Sequence, residues 1–278
     1  MPAILVTGAS TGIGEACALH LDSLGHTVFA GVRKPEDGER VAAQGSNRLT
    51  PLLIDVADGA SIDAAVKSID GLIGAMRFAG VVNNAGVARG GPLEYLAIEE
   101  WRDQIEVNVI GQIAVTKGFL PLIRRGCGRI VFVGSISGRI GSPLLGPYCA
   151  SKFALEGIAE SLRHELFEWD IKVALIEPGV VKTAIWGKGR ETVERLENDA
   201  EPEMTERYAA LIKRVRVSME ENDAGGIEPI EVARAIEHAL FALRPKPRYL
   251  VGPDAKSAAM MAKFVPDRLK DVIVRRLG

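Results

Sequence analysis

The chain has 278 residues, of which 47% are hydrophobic, enough to bury the core of an α/β domain. Its 34 basic and 36 acidic residues leave a charge of −2, which argues against a nucleic-acid-binding surface because such surfaces need clustered positive charge. Three widely spaced cysteines without C-x-x-C spacing argue against a disulfide framework or a zinc site, and we expect no metal.

The N-terminus and the hydropathy pattern predict a protein without a targeting or membrane-spanning segment. A strand-like run starts at Ala3, which leaves no room for the basic and cleavable apolar regions of a signal peptide. No uninterrupted apolar run reaches ~18 residues, the length needed to cross a bilayer. Together with the free cysteines, this favours a cytoplasmic protein with no transmembrane segment.

The first 24 residues predict a strand, a glycine-rich turn and a helix. Residues 3–7 form a short apolar run typical of a buried parallel strand, and residues 13–24 have helical apolar spacing. The turn between them reads Gly8-Ala9-Ser10-Thr11-Gly12-Ile13-Gly14. Bare backbone lets a phosphate approach, and the peptide dipoles of a helix N-terminus favour its negative charge, so this segment predicts a pyrophosphate site.

The end of the second strand bears on the type of nucleotide. Residues 27–32 predict a buried strand that ends in Val32, where dinucleotide folds that bind NAD carry a carboxylate for the ribose 2′-hydroxyl. Arg33 follows immediately and suits a 2′-phosphate, so NADP(H) is favoured and NAD(H) remains possible. The alternative is that Arg33 only solvates a loop beside Lys34.

Two further strands end in polar residues at the same sheet edge. Residues 52–56 predict a third strand in which Asp55 either accepts a hydrogen bond from an adenine or serves as a turn or helix-cap residue near Ser61. Residues 80–86 predict a fourth strand that ends in two amides and a glycine. Amide side chains there can tie strand ends together and line a cofactor groove, or simply form a turn.

Tyr148 and Lys152 are the clearest catalytic candidates. They lie four residues apart after Pro147, so a helix that begins here presents both side chains on one face. A phenol has a pKa of ~10, and an ammonium about 4 Å away favours its ionised form by an amount that brings this pKa towards neutrality. The alternative is a packed tyrosine beside a solvated lysine.

Two other polar residues accompany this pair. Asn108 falls within a helical pattern over residues 99–122, where an amide among valines needs a hydrogen-bond partner. Ser135 follows a fifth predicted strand, residues 129–133, at the edge where open α/β sheets bind ligands. Each is also compatible with a purely structural role.

In their order and spacing, these motifs resemble the classical short-chain dehydrogenase/reductase family. The resemblance runs from about residue 3 to residue 183. It rests on Thr-Gly-x-x-x-Gly-x-Gly from Thr7, Asn-Asn-Ala-Gly from Asn83, Asn108, Ser135, Tyr148, Lys152 and Pro178-Gly179.

The resemblance implies an enzyme and assigns its catalytic residues. Tyr148 would be the general acid or base, and Ser135 would hydrogen-bond the reacting oxygen. Lys152 would lower the pKa of Tyr148 and hold the nicotinamide ribose hydroxyls, while Asn108 would anchor a water that links Lys152 to solvent. The implied activity is NADP(H)-dependent interconversion of a carbonyl and a secondary or primary alcohol; NAD dependence or a non-catalytic redox sensor are the alternatives.

The resemblance also implies which residues contact the cofactor. They are Thr7, Gly8, Ser10, Thr11, Gly12, Ile13, Gly14, Arg33, Asp55, Val56, Asn84, Ala85, Gly86, Tyr148, Lys152, Pro178, Gly179, Val181 and Thr183.

The implied fold is a three-layer Rossmann fold in a single domain over residues 1–278. Its doubly wound parallel sheet would have seven strands in the order 3-2-1-4-5-6-7. Independently, the chain alternates strand and helix patterns, with a sixth strand over residues 172–176 and a seventh over residues 248–251, separated by a helix over residues 230–243.

Residues 184–226 occupy the position of the family's substrate lid. Their bulky residues favour either a hydrophobic pocket for a bulky apolar substrate, such as a steroid, a retinoid or an aromatic ketone, or the core of two surface helices. These lid residues are Trp186, Leu196, Met204, Tyr208, Leu211 and Met219, with Ile140, Leu144 and Leu145 completing the pocket.

The C-terminal tail, about residues 254–278, combines apolar and basic residues at helical spacing. A basic amphipathic helix can lie on an anionic membrane, but we expect it to pack on its own domain or on a sister subunit. The resemblance implies dimer faces near residues 111–122 and 153–169, and hence a homodimer or homotetramer.

Overall fold

Seven parallel strands form one sheet in the computed structural model, which describes residues 1–183, 185–198 and 201–277. The strand order is β3-β2-β1-β4-β5-β6-β7, which confirms the predicted topology. The strands are β1 (Ala3–Thr7), β2 (Thr27–Val32), β3 (Leu49–Leu53), β4 (Phe78–Asn83), β5 (Arg129–Val133), β6 (Lys172–Pro178) and β7 (Arg248–Val251).

Helices connect the strands and cover both faces of the sheet. They are α1 (Gly12–Ser23), α2 (Pro35–Ala42), α3 (Gly59–Ile73), α4 (Ile98–Ile105), α5 (Gly111–Gly126), α6 (Gly146–Glu165), α7 (Ile185–Asn198), α8 (Pro202–Gly225), α9 (Pro229–Phe241), α10 (Pro253–Phe264) and α11 (Asp267–Leu277). A π-helical segment, Glu106–Ile110, joins α4 to α5, and a 3-10 turn, Ile136–Gly138, follows β5.

The sheet separates two apolar cores. Ile4 on β1 packs with residues of α1 and α9, whereas its neighbour Leu5 packs with residues of α3, α5 and α6. Because side chains alternate across a strand, a strand that is covered on both faces must be apolar throughout. This explains why all five residues of β1 are buried.

The third and fourth strands and one helix depart most from the predicted bounds. β3 covers Leu49–Leu53 instead of residues 52–56, and β4 covers Phe78–Asn83 instead of residues 80–86. β3 lies at the edge of the sheet, where Pro51, which has no N–H to donate, is tolerated. The helix predicted over residues 99–122 is interrupted by the π-helical segment, which contains Asn108. Such insertions occur frequently at functional sites.

The region predicted as a lid folds into α7 and α8. Ala184, residues 199–200 and the side chain of Trp186 lie outside the described residues. The buried apolar side chains of these helices form a third, smaller core, consisting of Val193, Leu196, Met204 and Ile212 packed with Tyr95, Leu144, Tyr208 and Met219. This packing supports the second alternative for these residues, the core of two surface helices.

The predicted tail folds into α10 and α11, and its last residue, Gly278, lies outside the described residues. Among the helices described, none combines the length and the apolar character needed to cross a bilayer.

A buried ion pair fastens the turn after β5 to β6. The Glu177 carboxylate is fully buried and accepts hydrogen bonds from Nε and Nη2 of Arg139, the latter at 2.8 Å. Arg248 of β7 lies 4.0 Å from the same carboxylate and also pairs with Glu156 and Glu160 of α6. The cluster therefore joins β6, β7, α6 and the turn that carries Ser135.

Removing one partner of this ion pair should destabilise the fold strongly. We expect Arg139→Met to lower the free energy of unfolding by about 3 kcal/mol, because it leaves a buried carboxylate without its main partner. Adding Glu177→Gln should recover part of that loss. Urea denaturation followed by circular dichroism measures both changes.

The control is Arg102→Met, which removes an exposed pair with Glu99. Exposed pairs contribute about 0–1 kcal/mol, so this variant should unfold close to the wild type. Equal losses in the two single variants would contradict a special role for the buried pair.

Candidate active site

The carboxyl ends of the central strands converge at one edge of the sheet. β1 ends at Thr7, β4 at Asn83, β5 at Val133 and β6 at Pro178. Because all neighbouring strands are parallel, the loops that follow them lie side by side. This edge brings together the glycine-rich turn, the amide pair, the serine turn and the proline–glycine segment.

The glycine-rich turn adopts a backbone conformation that residues with side chains could not adopt without strain or steric clash. Gly8 and Gly12 have φ values of +65° and +60°, in the left-handed region that favours glycine. A Cβ on Gly14 would lie 2.2 Å from the carbonyl oxygen of Gly8. Three glycines are therefore required for α1 to start this close to the end of β1.

The start of α1 suits an anionic group. Thr11 is the N-cap residue, but its side chain makes no capping hydrogen bond. The N–H groups of the first helical turn are thus not capped by that side chain, and the helix dipole adds partial positive charge there. These features fit a dinucleotide pyrophosphate.

Thr7 and Asn84 tie the ends of β1 and β4 together. The Thr7 hydroxyl accepts hydrogen bonds from the N–H groups of Asn84 and Ala85, both at 3.1 Å, and donates to Val82. The Asn84 amide donates to the carbonyl oxygens of Thr7 at 3.0 Å and Gly8 at 3.1 Å. Asn84 therefore holds the glycine-rich turn in place.

On the adenosine side, Arg33 and Asp55 lie at the ends of neighbouring strands. Arg33 is exposed directly after β2. Asp55 Oδ1 accepts a hydrogen bond from the N–H of Ala57 at 3.0 Å, whereas Asp58 caps α3. Of the two structural alternatives for Asp55, the turn is therefore correct and the helix cap is not.

Ser10, Ile13 and Val56 are three further residues expected to contact the cofactor. The Ser10 carbonyl accepts a hydrogen bond from Arg40, and Ile13 packs against the core on the α1 side. Val56 is buried, with its carbonyl oxygen 2.7 Å from the position of a Cβ on Gly111. Val56 thus packs against the start of α5.

Tyr148 and Lys152 lie one turn apart near the start of α6. Pro147 occupies the first turn of this helix, where the missing N–H costs nothing. Lys152 is 6% exposed, and its Nζ donates a hydrogen bond of 2.8 Å to the carbonyl oxygen of Val133. The same Nζ lies 5.6 Å from the centroid of the Tyr148 ring.

Burial disfavours the charged form of both groups. Loss of water around the phenol raises the pKa of Tyr148 to about 12, although a hydrogen bond with the Ser135 side chain acts in the opposite direction. Desolvation likewise lowers the pKa of Lys152 to about 8. Desolvation dominates the pKa of Tyr148 in this structure, and the expected lowering of this pKa by Lys152 stays a prediction.

Ser135 is brought to Tyr148 by the turn after β5. It caps the 3-10 turn, and its Oγ accepts a hydrogen bond from the N–H of Ser137 at 3.1 Å. Its side chain lies near enough to the Tyr148 hydroxyl to favour the ionised phenol, so the turn brings two of the predicted catalytic residues together.

Asn108 is fully buried and is connected to α6 by a hydrogen bond. Its Oδ1 accepts a hydrogen bond from the N–H of Val87 at 2.8 Å, and its Nδ2 donates to the Val87 carbonyl and to Ser151 Oγ. Ser151 in turn donates to the carbonyl oxygen of Tyr148 at 2.7 Å. Gly86 lies beside this amide, since a Cβ there would be 3.2 Å from Asn108 Oδ1.

The segment after β6 closes the site on its other side. Gly179 donates to Val251, and a Cβ on Gly179 would lie 2.0 Å from Asp254 Oδ2. Val181 forms an isolated bridge with Ile227, and Thr183 lies 3.0 Å from the position of a Cβ on Gly12. An open cavity of about 740 Å³ beside Thr11, Gly12 and Thr183 contains none of the catalytic candidates.

Sequence reasoning missed several residues that hold this site. Gln104 and Gln112 are fully buried, and their amides donate to the carbonyl oxygens of Val87 and Ala85. Glu177 is buried next to Pro178. A charged residue at the end of an apolar strand was a signal that a cationic partner exists, but the sequence does not identify Arg139 as that partner.

The buried lysine should leave a signature in stability against pH. Between pH 8 and 10.5 the unfolded chain binds a proton at Lys152 that the folded chain has lost, so stability rises with pH in this window. Relative to Lys152→Met, the wild type should gain up to about 3 kcal/mol across it, with a constant difference below pH 8. Urea denaturation at several pH values measures the difference; parallel curves would show that the ammonium is not desolvated.

Comparison with known proteins agrees with this geometry. Residues 2–194 match the family model described as short chain dehydrogenase. The chain is 34% identical to the NADPH-dependent 3-dehydrocapnine reductase of Ornithobacterium rhinotracheale, over 97% of this chain and 94% of the relative. It is 35% identical to retinol dehydrogenase 16 of Homo sapiens, over 98% of this chain and 87% of the relative.

A solved structure shares the whole architecture. The crystal structure of a short-chain dehydrogenase from Streptomyces avermitilis has a TM-score of 0.78 at 30% identity, covering 99% of this chain and 94% of that chain. The sheet order, the family match and these relatives agree, and the chain belongs to the short-chain dehydrogenase family.

Proposed function

We propose that the protein is an NADP(H)-dependent oxidoreductase that interconverts a carbonyl and an alcohol, with Ser135, Tyr148, Lys152 and Asn108 as its catalytic group. The observation that carries the proposal is that the Ser135 side chain lies near the Tyr148 hydroxyl, one helical turn from the buried Lys152, at the carboxyl edge of the sheet. Two hydroxyl groups at this edge can both address one substrate oxygen.

The residues around the glycine-rich turn would hold the cofactor. The uncapped start of α1 would bind the pyrophosphate, and the exposed Arg33 would contact a 2′-phosphate. A relative with 34% identity is named NADPH-dependent, which supports the same preference here, with NAD(H) possible. When bound, the nicotinamide supplies or accepts the hydride.

Tyr148 would donate the proton in reduction and accept it in oxidation. Because burial raises its pKa to about 12, the phenol keeps its proton at neutral pH and can donate it to a carbonyl oxygen during reduction. Ser135 would donate a second hydrogen bond to the same oxygen. In the oxidative direction the phenol must first lose its proton, which its desolvation opposes.

Lys152 and Asn108 would assist this proton transfer, Lys152 through its charge and Asn108 by positioning α6. With a pKa of about 8, the Lys152 amine is close to its titration point at physiological pH, and a cation there would stabilise a phenolate. Asn108 fixes the α6 backbone at Tyr148 through Ser151. Lys152 would also hold the ribose hydroxyls of the cofactor.

We propose a bulky apolar substrate that enters beneath α7 and α8 within a single domain. Leu144 packs against the small core of these helices and lies two residues before α6, which carries Tyr148. Relatives named as retinol and 17-beta-hydroxysteroid dehydrogenases support a substrate of this class.

We also propose that the protein forms a homodimer or homotetramer through α5 and α6. Ile113 on α5 and Phe153 on α6 are exposed, and Phe167 and Trp169 continue the exposed apolar surface after α6. Burial of such side chains between subunits would stabilise the assembly.

Replacing Tyr148 with Phe tests the enzyme against a non-catalytic redox sensor. We expect kcat for carbonyl reduction to fall by about 10²- to 10⁴-fold, because the proton donor is lost, while NADPH binding measured by fluorescence titration stays close to that of the wild type. Tyr249→Phe, on β7, is the control and should retain activity. Unchanged turnover in Tyr148→Phe would remove this residue from the mechanism.

Arg33→Ala tests the proposed nucleotide preference. Loss of a charge-assisted contact should weaken NADPH binding by about 10- to 100-fold and leave NADH binding nearly unchanged. The control, Arg102→Ala, removes an exposed arginine on α4 and should affect neither nucleotide. If Arg33→Ala weakens both nucleotides equally, or neither, Arg33 does not read the 2′-phosphate.

A further inference from the structure

The last two helices expose apolar side chains that the domain does not cover. Met260 and Phe264 on α10 are 62% and 66% exposed, and Leu269 and Val272 on α11 are 55% and 43% exposed. The opposite side of α10 is buried through small residues, such as Ala255. The large side chains thus point away from the core, which packs α10 without them.

Basic residues share the exposed face of α10. Lys256, Met260, Lys263 and Phe264 follow the spacing of one helix face, and all four are exposed. Lys263 Nζ lies 5.2 Å from the centroid of the Phe264 ring, so the cation and the aromatic ring occupy the same patch. The four residues named here contain no acidic side chain.

The exposed face of α11 repeats this pattern. Arg268 and Arg275 flank Leu269 and Val272, whereas Ile273 on the other side is only partly exposed. Asp267, at the edge of the face, pairs with Lys270 at 2.7 Å. Both helices therefore expose apolar and basic side chains, and α11 also exposes Asp267 and Asp271.

The charge of this segment is opposite to that of the whole chain. Residues 253–278 contain six basic and three acidic residues, a net charge of +3, although the chain has −2. A second copy of the same face would bring like charges together and gain nothing from them. An anionic lipid surface offers negative charge for the basic residues and an acyl boundary for the apolar ones.

We propose that the exposed face of α10 and α11 docks on the surface of an anionic lipid bilayer. The helices lie along the interface, with Met260, Phe264, Leu269 and Val272 inserted at the headgroup boundary and the basic side chains directed to lipid phosphates. This inference is independent of the proposed catalytic function.

Vesicle flotation of the full chain tests the proposal. We expect the wild type to bind vesicles of phosphatidylcholine with phosphatidylserine, to bind pure phosphatidylcholine vesicles at least tenfold more weakly, and to be released by high salt. Met260→Ser with Phe264→Ser should weaken binding to the anionic vesicles at least tenfold. Lys256→Gln with Lys263→Gln should do the same while keeping the apolar side chains.

Leu243→Ser provides the matched control. Leu243 is 99% exposed but lies after α9, outside the proposed face, so its substitution should leave vesicle binding unchanged. All the substituted side chains are exposed, and thermal unfolding of each variant checks that the fold is retained.

Three results would overturn the proposal. The first is a wild type that fails to float with anionic vesicles, and the second is equal binding by the wild type and both double variants. The third is a wild type that does not bind vesicles but is oligomeric by light scattering, together with a Met260→Ser, Phe264→Ser double variant that is monomeric in the same measurement. That outcome would assign the face to a sister subunit.

Discussion

The desolvation of Lys152 is the constraint on which the rest of the site depends. An ammonium that is removed from water needs a fixed acceptor, and the carbonyl oxygen of Val133 at the end of β5 supplies one. The same burial moves the pKa of Tyr148 and that of Lys152 in opposite directions, each away from its charged form. Burial therefore favours the neutral phenol and the neutral amine.

Buried polar groups next to α6 hold Tyr148, Lys152 and Ser135 in their relative positions. Asn108 can reach both Val87 and Ser151 because the helix is locally widened at the π-helical segment. On the far side of the helix, the pair of Arg139 and Glu177 fixes the turn that begins at Ser135. Each of these contacts satisfies a group that would be costly to bury alone, so the site and the core are stabilised by the same bonds.

The sequence predicted the strand order and the principal side chains because short motifs carry them. The glycine spacing after β1 and the four-residue interval between Tyr148 and Lys152 are local, and local spacing survives without coordinates. The partner of Glu177, which lies 38 residues away in the chain, is not local. The rise that burial causes in the pKa of Tyr148 is not local either, since it depends on how much water the folded chain excludes.

The apolar residues of α7 and α8 illustrate the same limit. Their helical spacing is equally compatible with a pocket lining and with packing between two helices. Only the fold shows that Leu196 and Met204 belong to the same small buried core. The displacement of β3 to Leu49–Leu53 has a similar origin, because Pro51 is tolerated within a strand only when that strand lies at the edge of the sheet.

Asp254 has a consequence for how motion passes through the molecule. Its carboxylate, in the first turn of α10, accepts a hydrogen bond of 2.6 Å from the N–H of Val180, directly after the Pro178-Gly179 segment. A displacement of α10 would therefore strain this hydrogen bond and the backbone that leads to Thr183 beside the glycine-rich turn. The position of the C-terminal helices is thus coupled through one partly buried carboxylate to a segment that borders the cofactor site.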